Sequence, residues 1–185
     1  MEPDAALAVQ AAAGDREAFG ALVERHQAAV RRLTRAVTGD AHDADDAAQD
    51  AFLSALDRIE TYDASRPFGP WLMRIATNAA IDLVRRRTVR RADALDERAP
   101  SRRSSPATDA ESAEIRAKLV AALAELPERQ RVAVTLFDVE GYSHAEIAAV
   151  LEIPEGTVRS DVFHARRTLR VALEAFAPDR QMEGR

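Results

Sequence analysis

The stretch Pro67-Phe-Gly-Pro-Trp-Leu-Met-Arg-Ile-Ala-Thr-Asn-Ala-Ala-Ile-Asp-Leu-Val-Arg-Arg-Arg-Thr-Val-Arg-Arg91 decides how the chain folds. Leu72, Ile75, Ala76, Ala79 and Leu83 recur at three- and four-residue spacing, as one stripe of an α-helix must, while Arg74, Asn78, Asp82 and Arg85 follow another face at the same spacing. One helix therefore serves two surroundings. Pro70 suits the first turn, where its missing N–H costs nothing, and the arginines at the far end complement the negative end of the helix dipole. Arginine fills five of the seven positions from Arg85 to Arg91, a density beyond what a dipole needs, and that excess asks for a polyanion. Tyr62, Phe68 and Trp71 lie just upstream, and the amide of Asn78 sits on the polar face. Basic side chains hold phosphates, aromatic faces stack unpaired bases, and an amide reads a base edge, so the set points to single-stranded or melted DNA. A basic helix end that merely faces water is the competing reading.

Working outward, 185 residues can hold one ordinary core or two small ones, and 46% hydrophobic content is that of a globular protein. Two small helical domains fit best. There is no cysteine, which excludes disulfides and thiolate metal sites, and the histidines stand singly at His26, His42, His144 and His164, so no metal and no cofactor is expected. No apolar run approaches the ~20 residues of a membrane span, and no signal peptide is visible, so a cytoplasmic protein is expected. The net charge of −5 is unevenly spread: six basic residues face twelve acidic ones over 1–60, ten face five over 61–103, and ten face fourteen over 104–185. An acidic segment followed by a basic belt implies more than one partner, because a polyanion would be repelled by the first.

Upstream of the basic helix, a short helix is expected from Met1 to Ala13. A longer one capped by Asp15 carries Phe19, Leu22, Val23, His26, Val30, Leu33 and Val37 up to Gly39, with His26 read as a core residue. The next, from about Ala41, places Ala44, Ala47, Ala48, Ala51, Phe52, Ala55, Leu56 and Ile59 on one side and Asp43, Asp45, Asp46, Gln49, Asp50 and Asp57 around the rest. First-turn aspartates favour the dipole, but continuing the charge to Asp50 and Asp57 suggests a docking surface for a basic partner. Downstream, the period is lost over 91–108, where prolines and serines mark a linker. A second domain follows: Ile115, Leu119, Leu123 and Leu126 form one helix, and Pro127 opens another that carries Val132, Leu136 and Val139 to Gly141. Ser143 and Glu146 form a capping-box pair before Ile147, and a last helix runs from about Pro154 to Phe176. In it Val158, Val162, Leu169 and Phe176 face the core while Arg159, Phe163, Arg166 and Arg170 do not, which reads as a helix-turn-helix. The fold class is all-α, with domains at 1–90 and 109–177, the linker at 91–108 and a tail at 178–185.

With both halves in view, the chain resembles the extracytoplasmic-function sigma factors of bacterial RNA polymerase. The residues that carry the likeness are Asp45-Asp46-Ala-Ala-Gln49-Asp50-Ala-Phe52-Leu53, Phe68-Gly-Pro-Trp71-Leu72-Met-Arg74-Ile75-Ala76-Thr-Asn78, Leu126-Pro127-Glu128-Arg129-Gln130-Arg131, Gly141-Tyr142-Ser143-His-Ala-Glu146-Ile147-Ala148 and Pro154-Glu155-Gly156-Thr157-Val158-Arg159-Ser160. The resemblance implies docking on core RNA polymerase by Asp45, Asp46, Gln49, Asp50 and Phe52. It implies contact with the minus-ten promoter element by Tyr62, Phe68, Trp71, Arg74 and Asn78, with Arg85 and Arg86 on the DNA backbone. Arg159, Ser160 and Phe163 would read the minus-thirty-five element, with Arg166 and Arg167 on phosphates or bases. Trp71 has a core role as its alternative. Promoter DNA and core polymerase are the implied partners, an anti-sigma factor is common in the family, and no catalysis is implied. Asp161 and His164 replace residues often basic in the family, which would weaken the last helix on phosphate, and the small Ala47-Ala48 pair would loosen its core. The competing class is a free-standing helix-turn-helix regulator with a sensing or dimerising first domain.

Overall fold

A computed structural model describes residues 2–94 and 110–174, and every regular element among them is helical. Helix α1 (Asp4–Ala12) is shorter than expected at both ends: Pro3 stands before its first turn, and the chain leaves it for Gly14 at φ 98°, a conformation that costs glycine alone little. Asp15 then accepts from the N–H groups of Glu17 and Ala18 and starts α2 (Arg16–Thr38), which ends at Gly39 in the left-handed region. Asp40 does the same for α3 (Ala41–Asp57). Its hydrogen bonds from the Asp43 and His42 N–H groups outweigh burial and hold its carboxyl below the ordinary value. A 3₁₀ turn, Ile59–Thr61, leads through a short loop to α4 (Phe68–Ala94). This helix continues past Arg91, where the linker was expected to begin, because arginine and alanine are good helix formers and no glycine or proline interrupts them. The remainder of the expected linker lies outside the described residues.

In the second half come α5 (Ala110–Glu125), α6 (Glu128–Val134), α7 (His144–Leu151) and α8 (Glu155–Leu173). The helix opened by Pro127 does not run evenly to Val139. It widens into a π-helical segment, Thr135–Val139, where the Glu140 N–H reaches the Thr135 carbonyl and the Thr135 hydroxyl bonds back to the Arg131 carbonyl. The capping box forms as the sequence suggested, the Ser143 Oγ accepting from the Glu146 N–H while the Glu146 carboxylate accepts from the Ser143 N–H. Phe176 and the tail at 178–185 lie outside the described residues.

Burial explains the packing. Helix α4 lies against both α2 and α3, presenting Leu72, Met73, Ala76 and Ala80 with no exposure to α2's Leu22, Val30 and Leu33. On α3 the contact stripe is Ala44, Ala47, Ala48, Ala51 and Ala55, all buried. The Thr34 hydroxyl of α2 donates to the Ala44 carbonyl of α3 at 2.9 Å, and Ala47 and Ala51 have no exposure, so the helices approach closely along this stripe. In the second domain Val132, Leu136, Ile147, Val150, Val158 and Val162 are buried, and they join the core of the first domain in one continuous apolar cluster. Among the described residues, Leu126, Val134 and Ala165 form a second, smaller cluster. The two domains therefore share a packed boundary.

If the alanine stripe is a fitted contact, Ala47→Leu destabilises the chain by about 1–3 kcal/mol through overpacking. Urea unfolding checks this; a variant as stable as the parent would mean that a gap exists there.

Candidate nucleic-acid interface

The polar face of α4 is built by the burial of its other side. Asn78 is exposed and Arg74 half-buried, and both line a cleft of about 200 Å³ with Thr77, Arg129, Val150 and Glu152. The Arg74 guanidinium donates to the Glu152 carboxylate at 3.0 Å. Two turns beyond Asn78, Arg85 is exposed with no ion pair among the described residues. Arg86 bonds the Asp82 carbonyl at 3.2 Å and lies 3.9 Å from the Asp50 carboxylate, and Arg87 pairs with Asp43. The basic belt thus divides: Arg85 holds no ion pair among the described residues, whereas Arg87 ties α4 to α3.

The loop before α4 and the first turn of α4 together carry an aromatic group. Tyr62, Phe68 and Trp71 have centroids 5.3 to 5.4 Å apart, and His26 joins them at 5.4 Å from Phe68. Phe68 is only 3% exposed, so it cannot present a ring to a base, as had been expected of it; it is the floor on which the half-buried Tyr62 and Trp71 rest. The Tyr62 hydroxyl donates to the Arg66 carbonyl and closes the loop. Burial, with Asp4 and Asp63 nearby, pushes the Tyr62 hydroxyl up from its ordinary pKa, so it stays a neutral donor. His26 is held as a core residue by the Asp4 carboxylate at 2.7 Å. Burial would raise the Asp4 carboxyl, but hydrogen bonds from Arg25 and His26 win and hold it below its ordinary value.

On α3, Asp45, Asp46, Gln49 and Asp50 are exposed as their spacing implied, Asp45 bonding Arg31 at 3.0 Å. Phe52 is half-buried and packs on the core, so most of its ring is support. The apolar groups that do face out are Leu53 and Leu56, 53% and 42% exposed, in line with Asp46, Gln49 and Asp50. Leu56 was expected on the apolar side with Ala55 and Ile59 and is instead turned outward, and Leu53 was not picked out as a surface residue, although the repeat Asp46, Gln49, Leu53, Leu56 at three and four could have shown it.

In the second domain α7 and α8 meet through a tight turn. Arg159, Ser160, Phe163, Arg166 and Arg167 all lie on the exposed face of α8, with Phe163 63% exposed. Arg159 pairs with Glu155 one turn earlier, at 2.6 Å. Arg166 is held by a forked pair with Asp138 and lies 4.9 Å above the Phe137 ring, which itself stacks on His144, so its position is fixed. Asp161 departs from what the sequence suggested. It is 4% exposed and accepts from Arg129 at 2.6 Å, so it faces α6 and away from any phosphate; its charge anchors the helix. His164 is exposed beside Phe163.

An acidic strip on one helix, an amide and free arginine on the next, and a helix-turn-helix behind them define a two-domain DNA-binding factor that also carries a surface for a protein. Residues 22–90 match the family described as Sigma-70 region 2, and residues 116–169 the one described as Sigma-70, region 4. The chain is 39% identical over 169 residues to the ECF RNA polymerase sigma factor SigE of Mycolicibacterium smegmatis, covering 88% of this chain and 65% of that protein. It is 37% identical over 166 residues to SigM of Mycobacterium tuberculosis, covering 90% and 82%. Among solved structures, CnrH in complex with the cytosolic domain of CnrY superposes with a TM-score of 0.71 at 33% identity, over 95% of this chain and all of that one. The chain belongs to the ECF sigma factors, and its function is promoter-specific initiation of transcription with RNA polymerase. A free-standing regulator is set aside, since the region 2 match fills the first domain.

The Arg129–Asp161 pair generates a test. Arg129→Met leaves a buried carboxylate unpaired and destabilises the chain by about 1–3 kcal/mol, while Arg129→Met/Asp161→Leu recovers most of the loss. Urea unfolding of the double-mutant cycle reads this; equal losses in single and double variants would show that the pair does not hold α8.

Proposed function

We propose that this sigma factor divides its work by helix. The exposed strip of α3, Asp45, Asp46, Gln49 and Asp50 with Leu53 and Leu56 beside them, docks on a basic surface of core RNA polymerase: the carboxylates steer the approach and the leucines supply apolar contact. Asn78 and Arg74 on α4, with Trp71 and Tyr62 at its start, read the opened minus-ten element, and Arg85 and Arg86 hold its backbone. Arg159, Ser160 and Phe163 read the minus-thirty-five element from α8, with Arg166 and Arg167 on its phosphates. The units end and begin at α4 and α5, residues 2–94 and 110–174, with the segment between them as the connection. The observation that carries this reading is the juxtaposition of an acidic, leucine-bearing strip on α3 with an exposed amide and free arginine on the adjoining α4.

The chain itself makes and breaks no covalent bond in this scheme; that chemistry is the polymerase's, and the place of action is the cytoplasm. No helix among the described residues is long and apolar enough to cross a membrane. An anti-sigma partner is part of the proposal, supported by likeness to CnrH, solved with the cytosolic domain of CnrY. Run-off transcription with purified core polymerase on genomic promoter fragments tests the scheme: specific starts that depend on the chain support it, and their absence counts against it.

Two outcomes follow at residue level. Asp45, Asp46 and Asp50 all changed to Asn weaken core polymerase binding with the fold intact, because the groups face solvent, and the difference shrinks as salt rises; unchanged affinity at low salt would remove the docking assignment. Asn78→Ala costs minus-ten selectivity by ~1–3 kcal/mol, whereas Arg85→Ala weakens binding about equally on all sequences and lowers the salt slope. Identical sequence-independent defects would mean that Asn78 reads no base.

A further inference from the structure

Arg166 and Arg167 are neighbours on α8, yet they are held differently. Arg167 is exposed and makes no ion pair among the described residues. Arg166 is exposed too, but its guanidinium is fixed on two sides. Its Nε–H donates to one oxygen of the Asp138 carboxylate at 2.9 Å while an Nη2 N–H donates to the other, and its central carbon lies 4.9 Å from the centre of the Phe137 ring. Phe137 is backed in turn by the His144 ring, 4.4 Å away and inclined by only 24°. Both holding residues belong to the π-helical segment Thr135–Val139. Sequence neighbours on a regular α-helix point about 100° apart, so two of them seldom meet one target, and the widened turn is where Phe137 and Asp138 converge on Arg166.

The N–H groups that Asp138 engages decide what is left. A guanidinium carries five N–H donors in one plane. Asp138 occupies the side formed by Nε and Nη2, so the end formed by Nη1 and Nη2 keeps a second fork in the same plane. Two parallel donors match the N7 and O6 acceptors that guanine presents in the major groove. A phosphate contact needs no such plane, since any cation of sufficient reach serves. For phosphate binding alone Asp138 is a liability, because it offsets the charge of Arg166 and repels the DNA backbone. For base reading it is an asset: an arginine already held loses less freedom on binding than one that must be ordered there. Arg166 follows Arg159 by seven residues and Phe163 by three, which sets all three on one stripe of α8.

We propose that Arg166 is a specificity-determining residue that reads one guanine of the minus-thirty-five element through its Nη1–Nη2 fork, and that Asp138 and Phe137 are positioning residues that hold the fork in place. This rests on the role proposed above for α8 and changes the contact given to Arg166 from a phosphate to a base; Arg167 keeps the phosphate.

The full chain assembled with core polymerase tests it, by selection on duplex promoters whose upstream element is randomised, with the bound DNA sequenced. Arg166 and Asp138 are both exposed, so changes there leave the fold intact. The unaltered chain is expected to enrich guanine at one position that Arg166→Lys, which keeps the charge, no longer selects: preference there falls roughly tenfold while the other positions hold. Asp138→Asn lowers the same preference at the same position several-fold, although loss of a negative charge strengthens binding to DNA in general. Asp138→Glu restores it. A selection profile unaltered by Arg166→Lys, or an Asp138→Asn defect spread evenly over all positions, overturns the proposal and leaves α8 as the reading helix. An unaltered chain that binds core polymerase but selects nothing in the upstream element overturns the role of α8, and the proposal with it.

Discussion

The burial of one stripe of α4 between α2 and α3 is the constraint on which the rest depends. With Leu72, Met73, Ala76 and Ala80 sealed in the core that also holds Leu22 and Leu33, the rotation of the helix is fixed, and Asn78 and Arg85 are turned outward as a consequence. The same burial sets Phe68 under Tyr62 and Trp71. It also brings the alanine stripe of α3 against α4, which turns Asp46, Gln49, Asp50, Leu53 and Leu56 to the opposite side. A protein-binding strip and a DNA-reading strip thus follow from one packing solution. Core losses near Leu72 would misdirect both surfaces together, and surface changes affect one at a time.

The boundary between the domains obeys different physics. Its apolar part is continuous with both cores, while its polar part is a set of arginine–acceptor contacts of which the Glu140 carboxylate is the most deeply placed. Buried pairs of this kind contribute little net stability against a hydrophobic replacement, yet breaking one is costly. Such a boundary is specific, because each buried charge is tolerable only with its partner in place.

Much of this was legible in the sequence because it is local. Helical period named Leu72, Ile75 and Ala76 of the buried stripe of α4 but missed Met73 and Ala80 and included the half-buried Ala79 and Leu83; Asp15 and Gly39 bounded α2, and Ser143 with Glu146 announced α7 three residues apart. Contacts between residues far apart in the chain were not legible. Arg32 and Glu140 are 108 positions apart, and Arg129 and Asp161 are 32 apart, so no periodicity links them. Asp161 was therefore read as a surface charge facing phosphate when it is an anchor turned inward. Phe68 was misjudged for a related reason: an aromatic residue at the start of a helix serves equally as floor or as stacking face, and only its neighbours Tyr62, Trp71 and His26 decide which. The widening at Thr135–Val139 escaped notice because its apolar residues keep a helical spacing through the segment.

The central claim, that one packing of α4 sets both surfaces, is tested most directly by Leu72→Ala, with core polymerase affinity and minus-ten selectivity measured on the same folded variant. The account predicts that both fall together. Loss of one with the other unchanged would contradict it.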